Sequence, residues 1–219
     1  MQQLIIFGTQ DIAKLAHFYF SQDSPYEVVA FTVDAAYRDQ ETFQGLPVVD
    51  FEEVEKRFPP NSYAMFVAVS YAKMNQLRAE KYEQAKAKGY ALPSYISSHC
   101  TYLSQHPPGD NCFILEDNTI QPFVRIGNNV TLWSGNHIGH DSQIGDHCYL
   151  TSQVVVSGRV TIEPYCFLGV NATLRNGITL GASSLIGAGA AIMQDTEPHS
   201  VYVPPRAVKL DKSSEEVQL

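Results

Sequence analysis

Three histidines fall within eleven residues, at positions 137, 140 and 147. Imidazole titrates nearest to neutral pH of all side chains, so such a group suits either proton transfer or metal ligation. A zinc site built from three histidines needs spacings that let the rings converge. Here the intervening gaps are two and six residues, which argues against a metal. His140 stands apart because Asp141 follows it, and a carboxylate beside an imidazole fixes its tautomer and raises its basicity. Eighteen residues beyond His140 lies Gly158, in the run Ser157-Gly158-Arg159. If eighteen residues make one structural turn, the glycine stacks on the histidine, and its backbone N–H can donate to an oxyanion. The same pair also reads as a solvent-exposed histidine over a turn glycine, and residue types alone leave both open. The cysteines carry no obvious chemistry. Cys100, Cys112, Cys148 and Cys166 are separated by 12, 36 and 18 residues, all multiples of six. They read as small buried hydrophobes of a repeat, in preference to a disulfide or zinc set.

The repeat that must position these residues is explicit. From Ile114 to Ile192 every sixth residue is Ile, Leu or Val, fourteen times in succession. Neither a helix nor a single strand has this period. A strict hexad is the signature of a parallel β-helix, in which three hexads close one triangular coil. Two residues before most of these aliphatics stands a small or β-branched side chain, such as Val130, Ser142, Val154 or Ala172. Glycine follows the aliphatic at 127, 139, 145, 169, 181 and 187, where a tight corner favours a residue without Cβ. Flat prism faces predict self-association into a cyclic oligomer, with a trimer as the simplest closed form.

The first ninety residues have a different pattern. Apolar runs at 4–8, 27–34 and 63–69 read as buried strands, and 11–20 and 74–88 as helices between or after them. This alternation predicts a small Rossmann-like parallel sheet. The expected organisation is therefore an α/β domain over 1–92, a β-helix over 93–195 and a tail over 196–219. A dinucleotide fingerprint is only partial: Gly8 is followed by Thr9, Gln10, Asp11, Ile12 and Ala13, so one glycine of three is present. Asp34 ends the second strand, where an acidic residue either takes a ribose hydroxyl or caps a turn.

The chain has 219 residues and a formal net charge of −8, a poor match to a nucleic-acid-binding footprint. No apolar run approaches the length of a membrane span, and the first residues read as a strand where a signal peptide would stand. A cytoplasmic protein is expected.

With these motifs in view, the sequence resembles the left-handed β-helix acyltransferases. The resemblance is carried by the hexads from Ile114 to Ile192, the stretch Asn136-His137-Ile138-Gly139-His140-Asp141 and the segment Gly169-Val170-Asn171-Ala172-Thr173. The added Rossmann-like half makes it similar to the bacterial N-acetyltransferases of nucleotide-linked amino sugars, of the bacillosamine and perosamine pathway type, with sialic acid O-acetyltransferases as close relatives. The resemblance implies a left-handed β-helix, a homotrimer, acetyl-CoA as co-substrate and no metal. It implies His140 as general base, Asp141 as its partner, and Gly158 as the N–H that receives the thioester oxygen. It also implies coenzyme contacts at Tyr149, Val170 and Ala188, and nucleotide contacts at Gly8, Thr9, Gln10 and Asp34. Two departures stand out: the glycine-rich loop is depleted, and the family's terminal Gly-Val-Pro-Ala-Lys is here Tyr202-Val203-Pro204-Pro205-Arg206. The rivals are O-acetylation of a sugar, and a non-catalytic protein that binds a nucleotide sugar.

Overall fold

A computed structural model describes residues 2–209, 211 and 213–216. The N-terminal unit contains β1 (Gln2–Phe7), α1 (Asp11–Gln22), β2 (Tyr26–Val33), β3 (Thr42–Phe43), β4 (Leu46–Asp50), α2 (Val54–Arg57), β5 (Tyr63–Val67) and α3 (Gln76–Ala87). The sheet order is β3-β4-β2-β1-β5, parallel except for the short β3–β4 pair. Helices on both faces account for the unbroken apolar runs of its strands. Leu4 and Ile6 pack on one side, with Ala13, Ala16 and Phe20 of α1. Ile5 and Phe7 pack on the other, with Tyr82 and Ala85 of α3.

Beyond Leu92 the chain winds into a prism whose edges and faces follow the hexad. Each hexad contributes a strand of two residues, and within the stack these pair in parallel with the strands eighteen residues before and after. Ile138, for example, is flanked by Ile120 and Val156. The coils stack into sheets of seven, six and four strands. All fourteen periodic aliphatics are buried and form one continuous core with Cys112, Cys148 and Cys166. All four cysteines are free, and those three turn their thiols to backbone carbonyls of Gly127, Glu163 and Gly181.

The corners revise the role given to the periodic glycines. From Asn111 to Gly189 every sixth residue has φ between 53° and 78°, including Asn129, Asp141, His147 and Arg159. The left-handed corner therefore falls three residues before each aliphatic, where Asn, Asp or Gly is favoured. The glycines directly after the aliphatics are needed for close approach. A Cβ on Gly139 would stand 2.5 Å from the backbone N of Gly158, and one on Gly169 would stand 2.5 Å from the N of Ala188. The parallel pairing also runs past residue 195, because Val201–Tyr202 pairs with Leu185–Ile186. The segment read as a tail thus supplies the last rung of the seven-stranded sheet.

The N-terminal unit docks on that seven-stranded sheet and along one edge of the prism. Tyr95, Phe113 and Leu115 of the prism join the core on the α1 side. Arg78 of α3, only 2 % exposed, pins the edge. Its guanidinium donates to the carbonyls of Asn129, His147 and Cys148 and to Asn75 Oδ1. Asn75 in turn donates to the carbonyls of Tyr165 and Cys166, at 3.3 Å each. Positions 129, 147 and 165 are successive turns of the same edge, so two side chains tie three coils to one helix. Burial pushes the Arg78 pKa down to about 10, so it remains charged near neutral pH.

His147 sits in this seam, its Nδ1 2.9 Å from Asn129 Nδ2 and its ring against Tyr165 and Tyr82. Burial first, then the Arg78 charge, holds its pKa below the ordinary 6.5. A histidine whose folded pKa lies below its unfolded value contributes stability that is complete above the unfolded pKa. That contribution is lost as pH falls toward the folded one. The urea midpoint is therefore expected to drop between pH 7 and pH 5. In His147→Gln the drop should be smaller, with a remainder from His17, whose pKa burial also lowers. An equal drop in both proteins would refute this assignment.

Candidate functional site

His140 stands on the edge between the strands His137–Ile138 of the six-stranded sheet and Gln143–Ile144 of the four-stranded sheet. Its side chain is 45 % exposed, and Nδ1 lies 2.8 Å from Asp141 Oδ2. A carboxylate accepts, so this contact assigns the ring proton to Nδ1 and leaves Nε2 with a free lone pair. Asp141 occupies the left-handed corner, at φ 59°, which directs its carboxylate to the neighbouring ring.

The backbone around the ring is fixed from both sides. His140 N–H donates to Gln121 Oε1 at 2.8 Å, and His140 C=O accepts from Arg159 N–H at 2.8 Å. Gly158 lies directly over the imidazole: a Cβ there would be 2.6 Å from Nε2. Side chains nineteen residues earlier hold the corner amides of His140 (from Gln121) and Ala182 (from Glu163). Nineteen residues before Gly158 is Gly139, which has no side chain to do the same. The edge thus brings together an oriented imidazole nitrogen and a backbone amide that, among the described residues, no side chain caps. A carbonyl carbon held between the two would meet a base on one side and a hydrogen-bond donor on the other.

A second feature lies where the N-terminal unit meets the prism. It is a cavity of about 730 Å³ bordered by Gly8, Thr9 and Gln10, by Asp34, and by Trp133 and Tyr149 of the prism. Gly8 has φ 122°, and a Cβ there would stand 2.8 Å from the Ala68 carbonyl oxygen, so only glycine fits. Gln10 opens α1 without a side-chain cap, leaving amides of the first turn without intrahelical partners. Asp34 makes no side-chain cap on the turn Ala35–Tyr37 that it precedes. It pairs instead with Lys81, at 2.8 Å, on the border of the cavity.

The nucleotide residues read from sequence thus gather in one cavity, but the proposed coenzyme residues do not gather in one groove. Gly158 is against His140. Val170 and Ala188, both exposed, stack on the next edge of the prism, after the strands Phe167–Leu168 and Leu185–Ile186. Tyr149 is buried in the seven-stranded sheet and faces the cavity, where its hydroxyl accepts from Trp133 Nε1 at 2.6 Å. The reason is the register. Residues eighteen apart share an edge, whereas Gly158 and Val170 are twelve apart and fall on different edges. Within one chain, then, His140 and Tyr149 face different sides of the prism. Sequence reasoning did not single out Gln121, Trp133 or Lys81. Trp133 had one available signal, as the chain's sole tryptophan at an outward position beside the periodic Leu132.

Comparison with known proteins identifies the repeats. The model for bacterial transferase hexapeptide (six repeats) matches residues 124–158, and that for the hexapeptide repeat of succinyl-transferase matches 159–194. A search of curated proteins finds no match. Among solved structures, the acetyltransferase domain of PglB from Neisseria gonorrhoeae in complex with acetyl coenzyme A is similar at 23 % identity and a TM-score of 0.81. That match covers 94 % of this chain and 99 % of that one. PerB from Caulobacter crescentus, in complex with CoA and GDP-perosamine, is similar at 23 % identity and a TM-score of 0.79, covering 91 % and 92 %. WeeI from Acinetobacter baumannii gives 16 % and 0.79, covering 93 % and 97 %. At these identities the likeness establishes the fold: an α/β unit followed by a left-handed β-helix.

Proposed function

The chain folds as a left-handed β-helix whose residues 124–194 match transferase hexapeptide repeats, and on that premise we propose that it transfers an acetyl group from acetyl-CoA to the amino group of a nucleotide-linked sugar. The observation that carries the reading is the His140 edge, where Nε2 is freed by the Nδ1–Asp141 contact and lies against Gly158. In this mechanism the sugar nitrogen attacks the thioester carbonyl while His140 Nε2 takes its proton. The carbonyl oxygen, now negative, is met by the Gly158 N–H. The tetrahedral intermediate then collapses, the C–S bond breaks, and the imidazolium returns its proton to the departing thiolate. This sequence needs no metal and no covalent enzyme intermediate.

The cavity at Gly8, Thr9, Gln10 and Asp34 supports a nucleotide moiety as the second ligand. Because it opens on a different side of the prism from His140, the reading requires that a second copy of the chain supply the base. A cyclic homotrimer is the assembly that does so with identical contacts. It would also bring Val170 and Ala188 of one copy beside the His140 edge of the next, where they would line the coenzyme path.

The test is thiol release from acetyl-CoA in the presence of UDP-, GDP- and dTDP-linked amino sugars, each matched by its hydroxyl counterpart. Release with an amino sugar, and none with the counterpart, is the expected result. Release only with hydroxyl sugars would replace N-transfer by O-transfer, and no release with any acceptor would overturn the reading.

A further inference from the structure

Tyr149 has two properties that the reaction scheme does not use. Its ring is 1 % exposed and is held from several sides. Phe167 stacks on it with a 16° interplanar angle, Tyr71 meets it at 5.2 Å between centroids, and the Arg78 guanidinium lies 5.5 Å from its centre. Such a ring presents its hydroxyl in one place. That hydroxyl accepts a hydrogen bond from Trp133 Nε1, and among the described residues no acceptor takes its own proton. Indole is a donor only, so the direction of the Trp133 contact is not in question. A buried phenol that receives a hydrogen bond and gives none has a donor to spend, and both side chains border the cavity.

The charge beneath the ring indicates what would accept it. Among the described residues Arg78 is buried with carbonyl and amide partners only, and no carboxylate neutralises it. Its Nε has no hydrogen-bond partner among them. In a low-dielectric seam such a charge favours negative ligand atoms nearby. Elsewhere on the border of the cavity, Asp34 is offset by Lys81. Burial raises the phenol pKa above its ordinary 10, so the proton stays on Tyr149 in neutral solution.

We propose that Trp133 and Tyr149 form a donor subsite on the prism side of the cavity, which takes a phosphoryl oxygen of the nucleotide-linked sugar. The assignment rests on the reading of the cavity as a nucleotide-sugar site. It gives Tyr149 to the sugar nucleotide and removes it from the coenzyme. A hydrogen bond to a charged oxygen contributes about 1.5–3 kcal/mol, or roughly 10- to 150-fold in affinity.

The experiment is calorimetric titration of the wild type, Tyr149→Phe and Trp133→Phe with UDP, GDP and dTDP. The matching nucleosides provide the controls, and steady-state KM values are measured for both substrates. Tyr149→Phe is expected to lose at least tenfold in affinity for the preferred diphosphate, with little change for its nucleoside. Its KM for the sugar nucleotide should rise while that for acetyl-CoA is unchanged. Trp133→Phe, which removes the orienting donor and leaves the phenol, should lose less. It serves as the second variant if Tyr149→Phe fails to fold. Equal diphosphate affinity in wild type and Tyr149→Phe, or a shift in the acetyl-CoA KM alone, would overturn the subsite and leave the acetyl-transfer reading standing. A wild type that binds none of the three diphosphates would overturn both.

Discussion

Replacing His140 by asparagine is expected to lower acetyl transfer by roughly 10²–10⁴-fold, the range for loss of a single general base. The geometry makes this a clean substitution. His140 is half-exposed and lies outside the hydrophobic core, and its backbone bonds to Gln121 and Arg159 use main-chain atoms that asparagine keeps. The thermal midpoint should therefore stay within the range of ordinary surface changes, about 0.5 kcal/mol in stability. Turnover at saturating acetyl-CoA and amino-sugar nucleotide is the measurement that decides. If kcat is unchanged, the proton leaves by another route and His140 is a surface histidine over a turn glycine.

Gly158→Ala is expected to be comparably severe, although it adds only one methyl group. That methyl would stand 2.6 Å from Nε2, 2.9 Å from Cε1 and 3.0 Å from Cδ2 of His140, so the ring cannot remain where it is. If the ring turns away it gives up the 2.8 Å contact with Asp141, which fixes its tautomer. The methyl also crowds the approach to the Gly158 amide, and loss of one oxyanion donor alone costs roughly 10²–10³-fold. Gly158 is not among the residues with positive φ, so alanine carries no left-handed backbone strain there. A loss of kcat with a preserved melting temperature would thus report on the ring and the amide. Wild-type turnover in Gly158→Ala would remove Gly158 from the mechanism.

The prism was legible because its rule is one-dimensional. A buried aliphatic at every sixth residue is a statement about sequence spacing, and the strand register of eighteen comes from it directly. Stacking of Gly158 on His140 was accessible for the same reason. The site failed to be legible where position depends on which edge or face a residue occupies. Tyr149, Val170 and Ala188 all sit at sensible spacings in a linear reading, yet Tyr149 lies on a face while Val170 and Ala188 share an edge away from His140. The cavity was harder still, because its border joins Gly8 and Asp34 of the sheet to Trp133 and Tyr149 of the prism. No local period links those residues. Part of the joint is made by Arg78 and Asn75, which act on backbone carbonyls, and a carbonyl leaves no trace in residue identity. The sequence points to the glycines after the periodic aliphatics as tight-corner residues, and the structure gives their positions a different reason. Their φ angles are ordinary, and the neighbouring coil is what excludes a side chain.

The eighteen-residue register also sets how such a chain can change length. Adding a whole coil above Gly158 would lengthen the prism and leave every lower edge in phase. Adding a single hexad would turn all later residues by one face and carry them to a different edge. Between His140 and Gly158 neither change is compatible with the site, because the pair meets only when one coil separates them. The spacing of the two residues is therefore a fixed interval, while the height of the column above them is adjustable in steps of one coil.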